Sequence, residues 1–400
     1  MNIALVNQFF PPAQAPTGRV LFDLTGELVR RGHEPTVVTS AAGYGSEVGS
    51  TDVLPAAVRI LRLGSAGHHR TGWGNKLRDY LAYYRGARAA LARLPKQPDA
   101  VVCLTTPPFI GLLGAHLQKH RGIPFVLWCM DLYPEALAAH GWLRPWNPLT
   151  PLLSALAREE RRRAAAVVAL GPDMAALLAK SGAGRVEVIP FWSGFSATPA
   201  LQAEAQALRR ARGWGEDEVI LLYNGNMGRA HRAEEFLALA KRLQGRKPRC
   251  RFVFSGAGPN RAAWERLGAG VFEFLPAVPG SASAAHLLSA DVHLVSQQPE
   301  WTGVLVPSKF PVACALARPV VFAGPEQSAI GSWLAESGAG WVVPPGDEAA
   351  LAPAASGVRD APTRAAKSAA AAQLFARTFT RAANCRRMAD LVECVAEGRT

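Results

Sequence analysis

Apolar residues come in short, strand-length runs separated by longer amphipathic stretches, and the alternation starts at once. NIALVNQ is followed by the Pro/Gly loop FFPPAQAPTG, then by RVLFDLTGELVRRG, whose spacing predicts a helix closing at Gly32, then by PTVVTS. AVRILRL, DAVVCLT, PFVLWCM, AAVVAL and VEVIP read as further strands, with helical segments between several of them. The pattern restarts after residue 215. DEVILLYNGNMG is a strand with a Gly-rich turn, HRAEEFLALAKRLQG the following helix, and RFVFSGAGP, VFEFLP, DVHLVS, RPVVFAG and GWVVPPGD supply five more units. Strands alternating with helices predict parallel sheets built from right-handed crossovers.

Two domains follow from the restart, as 400 residues exceed one ordinary core. We place an N-terminal domain at 1–192, a linker at 193–215 on the mixed-polarity FWSGFSATPALQAEAQ, and a second domain at 216–380. A last helix near 381–400 is expected to pack back on the first domain. The predicted architecture is α/β, with two doubly wound parallel-sheet domains facing across a cleft.

Composition narrows the class. With 49% hydrophobic and 19% charged residues the chain is globular. No apolar run reaches the roughly 18–20 residues that span a bilayer, and MNIALVNQFFPP reads as a first strand rather than a leader. A cytoplasmic protein is therefore expected. The six cysteines show no C-x-x-C spacing and read as buried, reduced thiols. A net charge of +13 implies attraction to phosphates, nucleic acid or an anionic membrane surface.

Loops at the carboxyl ends of parallel strands carry the candidate chemistry. The first loop lacks G-x-G-x-x-G and no acid follows at the usual distance, which argues against a dinucleotide-binding dehydrogenase. NGNMGR, containing Gly225, Asn226, Gly228 and Arg229, suits an anion: glycines let amides approach, and Arg229 adds a forked cation. A plain structural turn would also use two glycines. SGAGPN, with Gly256 and Gly258, repeats the theme. Pro307 and Ser308 are expected to open a helix, and Lys309 opposes that helix's dipole unless an anion compensates. The bland alternative is a solvated lysine.

Asp131 ends PFVLWCM and starts DLYPE. It is either an acceptor-orienting or basic carboxylate, or an Asx turn, with Glu135 as a second acid. His116 and His120 have ligand spacing but no H-E-x-x-H glutamate, and His33 reads as structural. No D-x-D is present, so a Mg-dependent sugar-nucleotide site of that kind is not expected. From Arg70 to Lys96 there are seven Lys or Arg and one Asp, with Leu77, Tyr80, Leu81, Tyr84, Leu91 and Leu94 on one arc that Arg88 interrupts. Together with TGWG and GWLRPW, that arc is a candidate for lying on an anionic membrane; a solvated face of a core helix is the alternative.

Jointly, NQFFPP, ELVRRGHEPTVVTS, TTPP, DLYPE with HGWL, VIPFW, YNGNMGR, VPSKF and GAGWVVPPGD resemble glycosyltransferase family 4 of the GT-B fold. The likeness is greatest to the subgroup acting in polysaccharide and colanic-acid-like synthesis. The resemblance implies two Rossmann-like domains, a nucleoside-diphosphate sugar on the second, retention of anomeric configuration, and no metal or other cofactor. By motif it places Arg229 and Lys309 on the diphosphate and Asp131 near the acceptor, with Gly18, Arg19 and Glu135 on the acceptor side. Leu275, Pro276 and Val278 of LPAVP would lie near the base. The acceptor would be a lipid-linked or soluble glycan, with peripheral membrane contact and no nucleic-acid partner.

Departures from the family pattern are specific. Its two glutamates align with Val304 and Val312, its usual glycine with Ala317, and its G-R…K-G pair with Asn226 and His231, for which Arg229 is a candidate substitute. Some members of the subgroup lack the second acid. The alternatives are a catalytically silent homologue within a glycosylation complex and an enzyme acting on a soluble small molecule.

Overall fold

A computed structural model describes residues 1–13, 15–41, 58–64, 73–278 and 280–399. The start of AVRILRL, Arg70, the first two residues of TGWG and Pro279 lie outside them. The chain forms two compact units, Met1–Pro190 with Arg381–Thr400, and Phe191–Thr380.

In the first unit the strands are β1 (Asn2–Val6), β2 (Glu34–Ser40), β3 (Arg59–Leu63), β4 (Ala100–Leu104), β5 (Phe125–Trp128), β6 (Ala166–Ala169) and β7 (Val186–Val188). Their order is β3-β2-β1-β4-β5-β6-β7, with parallel pairing throughout. Strands β4, β5 and β6 are buried along their whole length, as sheets covered on both faces require. The helix Pro16–Arg30 starts with proline in its first turn and is followed by Gly32 at φ 80°.

The helix Arg381–Ala396 packs against Pro16–Arg30 within this unit. Arg31 pairs with Asp390 at 2.7 Å and Glu393 at 3.0 Å, and His33 Nε2 meets Glu393 at 2.7 Å. Asn384 Nδ2 donates to the Pro190 carbonyl at 3.2 Å, so the last helix is fastened to the point where the chain leaves the unit.

The second unit contains β8 (Val219–Asn224), β9 (Cys250–Ser255), β10 (Phe272–Leu275), β11 (Val292–Ser296), β12 (Val320–Ala323) and β13 (Gly340–Val343), in the order β10-β9-β8-β11-β12-β13, again parallel. One face buries Tyr223, Phe236, Phe254 and Trp264; the other buries Trp214, Ile220, Leu222, Val253 and Leu288.

Two expectations change. Residues 193–215 are no extended linker: Pro199–Ala211 is a helix capped by Thr198, and Ala205 enters the second core. Leu201 and Leu208 are half-buried beside it, while Ala200, Ala203, Ala207 and Ala211 face outward. In the helix Trp73–Ala92 the core side is Asp79, Tyr83, Ala87 and Leu91, one residue per turn. Leu77 and Leu81 stay exposed, Tyr80 and Tyr84 are half-buried, and Leu94 lies past the helix end, so the expected single arc splits.

Candidate active site

Three loops meet at the carboxyl ends of β8, β9 and β10. Gly225 N donates to the Ser255 carbonyl at 2.9 Å, Met227 N to Ala257 at 2.8 Å, and Asn260 N to Met227 at 3.0 Å, so NGNMGR and SGAGPN are laced together. The lacing needs bare backbone. Gly256 has φ 134°, and a Cβ there would stand 2.1 Å from the Gly225 oxygen. Gly258 stands over Met227 and Asn226 in the same way. The Ser255 hydroxyl donates to the Pro276 carbonyl at 2.9 Å, and Arg261 to the Leu275 carbonyl at 2.9 Å, fixing the LPAV turn beside them. Pro276 is exposed and Val278 half-buried.

Lys309 reaches under this lacework. A Cβ on Gly225 would touch its Cε at 3.2 Å, so this glycine makes room for the lysine stem. The Nζ lies 4.8 Å from the Tyr223 ring centre, 3.4 Å from the Asn226 carbonyl and 3.2 Å from His231 Nε2. His231 Nδ1 donates to the Ser296 carbonyl at 2.7 Å, which leaves Nε2 as the acceptor for the lysine. Burial lowers the lysine to about 7. Burial, with Lys309 beside it, lowers His231 to about 3 and keeps the imidazole neutral.

Both helices start later than expected. The helix after NGNMGR begins only at Glu234, and Glu234 and Glu235 fill its first turn, so its positive end is already matched. The Pro-Ser-Lys helix starts at Lys309 rather than Pro307, and Phe310 N is taken by the Pro307 carbonyl at 3.2 Å. Ser308 caps nothing with its side chain. What these elements supply is a positioned ammonium and the laced glycine turns. Arg229 is exposed beyond Gly228, and Asn226 is exposed at the tip of the turn.

Val304 is 4% exposed and Val312 packs against the second core, so the two valines aligned with the family's glutamates are apolar packing residues. The turn that carries Val304 is shaped by Gln297, whose amide donates to the carbonyls of Trp301 at 2.8 Å and Leu305 at 3.1 Å. Glu300 and Glu326 are both exposed. At Ala317, aligned with the family's glycine, φ is +50°.

In the first unit the carboxyl ends of β1, β2 and β4 form a polar floor of buried Asn7, Gln8, Ser40 and Thr105. Gln8 N donates to the Thr106 carbonyl at 2.9 Å and Ser40 N to Gln8 at 3.1 Å. The Thr105 hydroxyl accepts from the amides of Met130 at 2.9 Å and Asp131 at 3.2 Å, which sets the position of Asp131. Its carboxylate has no hydrogen bond or ion pair among the described residues, and burial raises it to about 6.

Glu135 is different. Both its oxygens are held by buried Arg161, at 2.7 and 2.8 Å, and Arg161 also donates to the Tyr133 carbonyl at 2.9 Å. It anchors the DLYPE turn rather than presenting a carboxylate to an acceptor. Gly18 is buried where a Cβ would sit 3.2 Å from the Phe9 carbonyl, a packing position, and Arg19 is exposed beside Asp23 at 3.9 Å. Sequence reasoning missed Gln8, Thr105 and, as a partner of Lys309, His231. The first two were signalled by polar residues closing the apolar runs NIALVNQ and DAVVCLT.

Two Rossmann-like parallel sheets with these loops define a GT-B fold. Residues 17–192 match the glycosyl transferase 4-like domain model and residues 218–359 the glycosyl transferases group 1 model, and the chain belongs to the GT-B glycosyltransferases of family 4. It is 26% identical over 264 residues, 64% of its length, to "Probable glycosyltransferase WbjE" of Pseudomonas aeruginosa, and spans 65% of that relative. Among solved structures it resembles sucrose-phosphate synthase from Thermosynechococcus elongatus, with TM-score 0.77, 16% identity and full coverage of both chains. WaaG, a glycosyltransferase involved in lipopolysaccharide biosynthesis, gives 0.67 at 18% identity over 98% of this chain and 99% of that one. Anabaena HepE in complex with UDP-glucose gives 0.68 at 15% over the same shares. At these identities the likeness is one of fold.

Proposed function

We propose that the chain is a retaining, metal-independent glycosyltransferase that moves a hexose from a nucleoside-diphosphate sugar to a glycan or lipid-linked saccharide in surface-polysaccharide synthesis. The observation that carries this reading is the Lys309 ammonium, held by His231 over Tyr223 beneath the laced Gly225–Gly258 turns. A departing diphosphate needs charge stabilisation where charge develops, and a positioned ammonium with close glycine backbone gives it without a metal. The solved complex of HepE with UDP-glucose supports a nucleotide-sugar donor of that type. Arg229 joins Lys309 on the diphosphate, Leu275, Pro276 and Val278 border the base, and Asp131 receives or orients the acceptor hydroxyl.

Attachment to the cytoplasmic membrane face is part of the proposal. No helix among the described residues is long and apolar enough to cross a membrane. Trp142, Trp146, Leu149 and Leu152 nevertheless stand exposed within a dozen residues of one another, with Arg144 over the Trp146 ring at 5.2 Å. Aromatic and leucine side chains beside a cation suit the boundary of an anionic bilayer.

Buried Val304 and half-buried Val312 favour one other reading, a silent homologue that binds donor or partner without transferring sugar. The test is release of nucleoside diphosphate from a panel of UDP-, GDP- and other nucleotide sugars, run beside thermal shift. Release that depends on Lys309 supports transfer. A stabilising donor that is never turned over with any acceptor supports the silent reading, and neither effect with any donor overturns both.

A further inference from the structure

A second polar cavity lies in the Phe191–Thr380 unit, at the opposite end of the sheet from Lys309. It has a volume of about 610 Å³ and opens where the chain enters β8, β11 and β12. Arg209, Arg210, Trp214, Ser289, Asp291 and Arg318 line it.

Its hydrogen-bonding groups do not balance. Arg209 is satisfied: one nitrogen grips both Asp291 oxygens at 3.0 and 2.9 Å, and the other meets the Gly215 and Glu218 carbonyls at 3.2 and 2.8 Å. Asp291 is satisfied too, since it also accepts from Ile220 N at 2.8 Å. Arg318 is not. One nitrogen donates to the Leu288 carbonyl at 3.0 Å, while its Nε is buried with no partner among the described residues. Burial, with Arg209 nearby, lowers this guanidinium below its ordinary value despite Asp291.

Trp214 is 3% exposed, and its indole N–H is also buried without a partner among the described residues. Arg212 stacks on that indole at 4.8 Å, adding positive charge behind it. Arg210 lies exposed in the cavity wall and forms no ion pair among the described residues; the remaining acid, Glu216, is exposed as well. Buried donors left unmatched cost free energy, and a site with surplus donors and cations is complementary to an acceptor-only anion.

We propose that this cavity binds a small phosphate-bearing anion through Arg210 and Arg318, apart from the donor loops, with the buried Trp214 N–H and Arg318 Nε recruited by a local side-chain shift. Inorganic phosphate and a phosphate monoester such as a hexose 6-phosphate share the recognising chemistry, and the volume accommodates either. Because the cavity lies beneath β8 and β11, whose far ends carry NGNMGR and Ser296, an occupant would brace the strands that hold the Lys309 loops.

The test is calorimetric titration of the full chain with inorganic phosphate and, separately, hexose 6-phosphate. Lys309→Ala serves as a background in which phosphate capture at the donor loops is suppressed. Saturable binding is expected to persist in Lys309→Ala and to weaken at least about tenfold in Trp214→Phe with Arg210→Gln. Trp214→Phe keeps an aromatic ring and removes the N–H. Should that pair fold poorly by circular dichroism, exposed Arg210→Gln alone is expected to weaken binding several-fold. Tighter binding of the ester identifies an esterified ligand, and equal binding identifies free phosphate. Loss of binding in Lys309→Ala with none in the cavity variants, or no saturable binding of either probe, overturns the proposal.

Discussion

The Nζ of Lys309 stands 3.2 Å from Nε2 of His231, and the histidine's other nitrogen is committed to the Ser296 carbonyl. A neutral imidazole thus fixes an ammonium that burial has already lowered to about 7. The sign of the pH effect follows. The unfolded chain keeps the lysine charged up to its ordinary 10.5, so between about 7 and 10.5 unfolding takes up a proton. Stability contributed by this group therefore rises with pH through that window, and its full cost is present below 7. Lys309→Met is expected to raise the melting temperature at pH 6, with the gain fading by pH 10, and to reduce turnover at least about a hundredfold. At pH 8, binding of a nucleoside diphosphate is expected to draw in up to one proton, read by calorimetry in buffers of different ionisation heat. No uptake would place the diphosphate elsewhere.

Asp131 presents the mirror case. Burial raises its carboxyl from 3.8 to about 6, so the folded protein holds a proton that the unfolded chain gives up in that window. Stability falls as pH rises from about 4 to 6, and the cost is complete above. Asp131→Asn is expected to melt higher than the parent at pH 7.5 while losing transfer, since the amide has no charge to desolvate and no basicity. An unchanged rate with saturating acceptor would remove Asp131 from the chemistry.

Ala317 carries a φ of +50° where a side chain is strained and a glycine is not. The turn closes the helix Lys309–Ala315 through Arg318 N on the Ala313 carbonyl at 3.0 Å. Ala317→Gly is expected to stabilise the fold by about 1 kcal/mol, seen as a higher urea midpoint at unchanged slope.

Arg161 is buried and joined to both oxygens of Glu135. Removing the cation leaves Glu135 unpaired beside Glu160, which burial already raises to about 8. Arg161→Met is expected to cost about 3–5 kcal/mol in urea unfolding, and Arg161→Lys to recover only part of it, because the two-pronged contact is lost.

Replacing Trp142, Trp146, Leu149 and Leu152 by serine touches exposed side chains only. The variant is expected to keep its melting temperature and its rate on a soluble acceptor, and to lose co-sedimentation with vesicles rich in anionic lipid. Equal sedimentation of both proteins would exclude this patch as the membrane contact.

Strands covered on both sides, such as β4, β5 and β6, were legible as uninterrupted apolar runs. The thirteen strands among the described residues fall on segments the pattern predicted, although β3, β7 and β10 carry charged residues and are only partly buried. What could not be read is what the crossovers bring together. His231 and Lys309 are 78 residues apart, and Arg161 lies 26 beyond the Glu135 it neutralises. The basic helix was misjudged for a related reason. Its core face includes a carboxylate, Asp79, and a small residue, Ala87, neither of which marks burial in sequence.

The last sixteen-residue helix belongs to the first unit, and Asn384 ties it to Pro190. The entire second unit is therefore an insertion within the first. On the ribosome, the amino-terminal sheet emerges early but waits for about two hundred further residues before its closing helix arrives, while the inserted unit has all its strands in hand first. For anyone dividing the protein, a cut at Pro190 yields an incomplete body that lacks Asp390 and Glu393, which Arg31 and His33 meet on the last helix. A polypeptide joining 1–190 directly to 381–400 is the physically coherent half, and 191–380 is the other.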